Sequence, residues 1–116
     1  MNQNEIHTAA FKAMAEPVRL TIITMLAGTE RCACELLEKL AISQPTLSHH
    51  MKTLAKAGLV RSRKNATWMY YSINREAFAS IQRFMGSLIQ KPARPAPAAC
   101  ASAKNSHTTK AARSNK

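Results

Sequence analysis

Acidic residues are scarce in this chain, with six Asp and Glu against seventeen Lys and Arg, a net charge of +11 over 116 residues. No paired acid cluster is present, and the three glycines form no phosphate-cradling loop, so two common kinds of enzyme site are missing. No stretch is apolar and long enough to cross a bilayer. The opening Met-Asn-Gln-Asn-Glu is polar and lacks a secretion-signal pattern, so a cytoplasmic location is expected. The three cysteines are then expected as reduced thiols rather than as a disulfide scaffold. Apolar periodicity is absent from Lys91 onward, where the chain runs Lys-Pro-Ala-Arg-Pro-Ala-Pro and continues in Ala, Ser, Lys and Asn. Such a segment buries too little surface to offset chain entropy.

What remains suits a single domain. It is placed at residues 1–90, its ordered part starting near residue 4, with 91–116 as a disordered basic tail. The tail holds six basic residues and no acids, while residues 1–90 hold eleven basic and six acidic, a net +5. Both parts attract polyanions, and nucleic acid is the leading partner ahead of a membrane surface. So small a domain has a limited core, which favours pairing with a second copy.

Hydrophobic spacing predicts the elements. Ile6, Ala9, Ala10, Ala13 and Met14 mark a helix over about 4–15. A second helix starts at Pro17, which suits a first turn, and is closed by Gly28. An extended piece, Thr29–Cys32, leads to a helix over Ala33–Leu40 that buries Leu36, Leu37 and Leu40. Ala41-Ile42-Ser43 is a tight turn with Ser43 as N-cap, and a fourth helix runs from Gln44 to Ala57, closed by Gly58. Two β-rich runs follow, Leu59–Lys64 and Trp68–Ile73, with Asn65-Ala66 as the tip and Asn supplying its left-handed residue. Asn74 caps a last helix over about Arg75–Gln90, striped by Phe78, Ile81, Phe84, Met85 and Leu88. The fold class is mainly α with a small β-hairpin, a winged helix-turn-helix.

On a wheel of 100° per residue, Leu47, Met51 and Leu54 share the inner face of the fourth helix, with His49, Lys52 and Lys56 opposite. Gln44, Thr46, Ser48 and His49 are expected at or near base edges, and Lys52 at a phosphate. A solvated polar face is the plainer alternative; the preceding helix, the turn and the basic hairpin argue against it. His50 lies about 60° from the buried stripe and is expected to be packed. Arg61, Arg63 and Lys64 would grip the DNA backbone from the hairpin. Trp68, Tyr70 and Tyr71 are read as packing residues rather than base-stacking groups.

Cys32 and Cys34 flank one residue at the start of the third helix. On a regular helix they would diverge by roughly 200°, whereas on extended backbone they share a face. One ion therefore holds both sulfurs only if the backbone departs from a helix here, and the strain has a short route to the fourth helix. The helix N-terminus and Arg31 are expected to lower the Cys34 pKa, and thiolates select thiophilic ions. Small buried cysteines with no ligand are the alternative.

These residues carry a resemblance. Thr29–Ile73 resembles the arsenic-repressor (ArsR/SmtB) family of winged-helix metal sensors, through Glu30-Arg31-Cys32-Ala33-Cys34-Glu35-Leu36, the helix Ile42–Leu54, and Gly58-Leu59-Val60 with Trp68–Ile73 in the wing; Ala15–Leu20 is similar to the family's second-helix start. The likeness spans about residues 6–90. It implies a homodimer on a palindromic operator, released when an inducer binds. Some arsenic-sensing members carry a third cysteine where Leu37 stands here. Cadmium and lead sensors add cysteines near the N-terminus, and none precedes Cys32. Zinc and cobalt sensors use carboxylates and histidines on the last helix, which here offers only Glu76. The resemblance thus implies trivalent arsenic or antimony as inducer, with no obligatory cofactor. Arsenite prefers three sulfurs, and a methylated trivalent arsenical needs two; the candidate third ligand is Cys100 or a non-protein group, with an incidental tail cysteine as the plainer alternative for Cys100.

The leading expectation is a metalloid-responsive repressor. A redox switch on the same pair is the alternative, since a disulfide between residues two apart would be strained and reducible. An enzyme using a Cys34 nucleophile lacks a histidine base nearby. A charge-driven nucleoid protein would show no operator preference at raised salt.

Overall fold

The computed structural model describes residues 2–97. Helix α1 (Gln3–Met14) opens on a capping box, in which the Glu5 amide donates to Asn2 Oδ1 at 2.9 Å and the Asn2 amide to Glu5 Oε1 at 3.1 Å. Helix α2 (Pro17–Leu26) starts with Pro at N1 behind Glu16, whose carboxylate accepts from the Arg19 amide at 2.8 Å. Gly28, at φ +82°, follows the helix in the left-handed region open to glycine.

Strand β1 is only Arg31–Cys32, and α3 (Ala33–Leu40) follows at once. The C-cap of α3 is Ala41, in the left-handed region at φ 53°, ψ 47°. Helix α4 (Gln44–Lys56) is capped by Ser43, which accepts from the Thr46 amide at 3.3 Å. Strands β2 (Val60–Asn65) and β3 (Trp68–Ile73) and helix α5 (Arg75–Leu88) complete the order.

The sheet is three-stranded and antiparallel, in the order β1-β3-β2. The extended piece before α3 is thus a third strand of the wing, with Arg31 opposite Tyr71 and Cys32 opposite Tyr70. At the tip, Asn65 pairs with Trp68 and remains in the strand. The left-handed residue is Ala66, at φ 60°, rather than the expected Asn65, because pairing extends one residue further than its side chain suggests.

Ile22, Leu26, Leu36, Leu54 and Leu59 are the largest fully buried side chains, each contributing roughly 2 kcal/mol by the area removed from water. Leu47 and Met51 join them, while Leu37 and Leu40 are half-buried against the cluster. Of the α5 stripe, Phe78 and Ile81 pack partly on the core, and Met85 is exposed. Asn74 is not a side-chain cap. Its Oδ1 accepts from Arg61 Nη2 at 3.1 Å and its Nδ2 donates to the Gly58 carbonyl at 2.8 Å, tying the start of α5 to the base of the wing.

These features belong to a unit ending at Gly86; a second unit begins at Ser87. Residues 92–97 hold neither helix nor strand and are exposed.

Candidate nucleic-acid interface and thiol pair

The polar face of α4 is presented by what its inner face buries. Leu47, His50, Met51 and Leu54 are buried, whereas Gln44, Thr46, Ser48, His49 and Lys52 are exposed. Thr46 is partly engaged in the cap, since the Ser43 hydroxyl donates to its Oγ1 at 2.9 Å. His50 is packed, as the wheel indicates. Arg19 Nη1 donates to its Nδ1 at 3.2 Å, so the ring proton sits on Nε2. Arg19 Nε also donates to the Ala13 carbonyl at 2.6 Å. One guanidinium therefore joins the end of α1, the start of α2 and the buried side of α4.

Arg61, Arg63 and Lys64 are exposed on β2. Arg63 is not free. Its Nε and Nη2 donate to the two Glu30 oxygens at 2.7 and 2.8 Å, and its guanidinium lies 4.7 Å over the Tyr70 ring. That fork holds the Glu30 carboxyl below the usual carboxylate range and pushes the Arg63 pKa up. Trp68 is 52 % exposed, so packing within the chain does not account for it, while Tyr70 and Tyr71 are half-buried.

Cys32 is buried and Cys34 exposed. Cys32 lies outside the helix, at φ −74°, ψ 146°, and acts as the N-cap of α3. Its Sγ accepts from the Cys34 amide at 3.3 Å and its amide donates to Glu35 Oε1 at 3.1 Å. This departure from helix is the geometric condition for two sulfurs to meet one atom. The expected thiolate bias at Cys34 is reversed. Its hydrogen bond to the Cys32 thiol, then burial, then the Cys32 charge raise its pKa above the ordinary thiol value, outweighing the lowering by backbone amides of the helix start. Arg31 does not help, because its Nε donates to the Met25 carbonyl at 2.9 Å and its Nη1 to Glu35 at 3.4 Å. No cluster of three or more His, Cys, Asp or Glu side chains suited to a metal ion occurs among the described residues. Cys100 lies outside them.

Glu30, Arg19, Tyr70 and Asn74 were not legible as functional residues in the sequence. Their partners stand 33, 31 and 6, 7, and 13 and 16 residues away, and no local pattern marks such pairs.

The family model described as bacterial regulatory protein, arsR family, matches residues 16–62. An arsenical resistance operon repressor of Staphylococcus xylosus is 46 % identical over 76 residues, which are 66 % of this chain and 72 % of that protein. The chain belongs to the arsR family. A second relative, the arsenical resistance operon repressor of Staphylococcus aureus, is 43 % identical over 64 % of this chain and 70 % of its own length. Among solved structures, HlyU from Vibrio cholerae is 34 % identical, with a TM-score of 0.63 over 78 % of this chain and 100 % of that one. ArsR-family proteins are DNA-binding transcriptional regulators rather than enzymes, and the winged helix-turn-helix is the fold observed here. Among the described residues, no helix is long and apolar enough to cross a membrane.

Proposed function

We propose that the protein is a repressor that holds double-stranded operator DNA as a homodimer and releases it when Cys32 and Cys34 capture trivalent arsenic or antimony. The carrying observation is the thiol pair itself, with Cys32 extended, its sulfur 3.3 Å from the Cys34 amide, at the start of the helix before α4. The relatives named as arsenical resistance operon repressors support the ligand class. Two sulfurs match a methylated trivalent arsenical directly; arsenite would take a third ligand, for which Cys100 or a non-protein thiol is available.

Gln44, Thr46, Ser48 and His49 would meet base edges, and Lys52, Arg61, Arg63 and Lys64 the phosphates. The dimer would use α1 and α5, where Ile6, Phe11 and Met85 are exposed and His7 stacks on Phe84 at 4.7 Å. DNA binding and sensing are placed in residues 1–90, with 91–116 as a basic extension. The raised Cys34 thiol does not separate metalloid capture from the redox alternative, because thiolate is the reactive form in both.

A palindromic promoter site should be retarded by the protein in a gel shift and freed by arsenite. Cys32→Ser and Cys34→Ser should still bind DNA and ignore arsenite. A normal arsenite response in both variants refutes the sensing assignment.

A further inference from the structure

Cys32 and the wing share one row of the sheet. Cys32 is opposite Tyr70 across β1 and β3, and Tyr70 is opposite Arg63 across β3 and β2. Residues directly opposite in antiparallel strands present their side chains on one face, with Cβ atoms roughly 5 Å apart. The row therefore runs from thiol to phenol ring to guanidinium, with Arg63 4.7 Å over the Tyr70 ring. Glu30, two residues before Cys32, closes the arrangement by accepting from Arg63 at 2.7 and 2.8 Å. One short stretch of backbone thus carries both the carboxylate that holds the wing arginine and the sulfur proposed to hold the ligand.

The ion pair sits at the surface, with side chains 54 % and 36 % exposed. Exposed pairs contribute little to stability, so Arg63 can exchange Glu30 for a phosphate at small cost. A guanidinium opposed by a carboxylate at contact distance offers DNA little net charge until that exchange occurs. Arg61, by contrast, is held by the neutral Asn74 amide.

We infer that Glu30 is a positioning residue that governs whether Arg63 reaches the DNA backbone, and that ligation of Cys32 and Cys34 acts on the operator through this pair. The second half rests on the function proposed above. Fixing Cys32 against Cys34 holds β1 in the arrangement in which Glu30 keeps Arg63, and the wing loses one phosphate contact.

The test uses the full chain in four forms: native, Glu30→Gln, Arg63→Gln and the double variant. Operator affinity is measured by fluorescence anisotropy across a salt series. Glu30→Gln should bind several-fold more tightly near 0.1 M salt, because Arg63 meets its phosphate without first giving up a carboxylate. With arsenite bound, the native plot of log K against log salt should flatten by about 0.9, one phosphate contact, while the Glu30→Gln plot keeps its slope. Both effects should vanish in the Arg63→Gln background. Arsenite binding, read by thiol–arsenic ultraviolet absorption, should be the same in native and Glu30→Gln protein, while the loss of operator affinity caused by arsenite shrinks at least threefold in Glu30→Gln. Equal operator affinity of Glu30→Gln and native protein without arsenite, a native salt slope that arsenite leaves unchanged, or an unchanged arsenite effect in Glu30→Gln overturns the inference. Absence of any arsenic–sulfur absorption in the native chain refutes the sensing function and the coupling with it; the affinity gain of Glu30→Gln, and its loss in the Arg63→Gln background, still decide whether Glu30 governs Arg63.

Discussion

Arg19→Ala tests whether α4 is held in place by a single buried-side guanidinium. In the native chain Arg19 donates to the Ala13 carbonyl at 2.6 Å and to His50 Nδ1 at 3.2 Å. His50 is only 8 % exposed, so its stranded acceptor would be poorly replaced by water. Hydrogen bonds from a charged donor contribute roughly 1.5–3 kcal/mol each. Arg19 itself is half-buried, and water reaches part of the vacated space, which puts the expected loss at about 2–3 kcal/mol, at or just below the minimum for two such bonds. With a urea slope of about 1.5 kcal/mol/M for a domain of this size, the midpoint should fall by roughly 1.5–2 M. The measurement is urea unfolding by circular dichroism at one fixed protein concentration, since a dimer's stability depends on concentration. Operator affinity in the absence of denaturant should fall at least about tenfold, because the reading helix loses its anchor, with the salt slope unchanged because Arg19 meets no phosphate. A stability loss under about 0.5 kcal/mol, the ordinary range for a surface substitution, would refute the anchoring role. A shallower salt slope would instead make Arg19 a DNA contact.

Ala41→Gly should stabilise the protein, because Ala41 holds φ 53° at the end of α3. Relief of roughly 1–2 kcal/mol of left-handed strain exceeds the entropic cost of glycine, about 0.4–1 kcal/mol. Calorimetry should show the melting temperature up by about 5 °C, and a fall would contradict the strain argument. Cys34 alkylation, followed by peptide-resolved mass spectrometry, should keep accelerating beyond the free-thiol midpoint of about pH 8.5. In Cys32→Ser the midpoint should drop, since the Cys32 thiol is the largest cause of the raised value. The sign for stability follows: the fold favours the protonated thiol, so the Cys34 contribution is present below its unfolded pKa and lost as pH rises through the folded one. A reactivity plateau below pH 8 in the native chain would contradict this.

Local chemistry made much of the fold legible. Pro17, Gly28, Ser43 and Gly58 mark helix ends because each acts on its own backbone or within one turn of it, and the 3.6-residue spacing of Leu47, Met51 and Leu54 identifies the buried side of α4. His50 could be assigned to that side by angle alone. The Cys-Ala-Cys pair and the basic strand after α4 were equally plain as residue types. The hairpin tip was less so, because Asn65 and Ala66 both tolerate a turn and the strand pairing settled which took the positive φ.

The amino-acid order by itself determined the succession of helices and strands, the exposed polar face of α4 and the presence of two neighbouring thiols, since each depends on contacts within a few residues. Tertiary structure decided the rest. It made Arg31–Cys32 a strand of the wing, gave Asn74 to Arg61 and Gly58, and set Arg63 against Glu30. Those outcomes turn on which side chain reaches which partner across 13 to 40 residues of chain, and electrostatic and hydrogen-bond energies at contact distance depend on separation in space, which sequence separation does not encode.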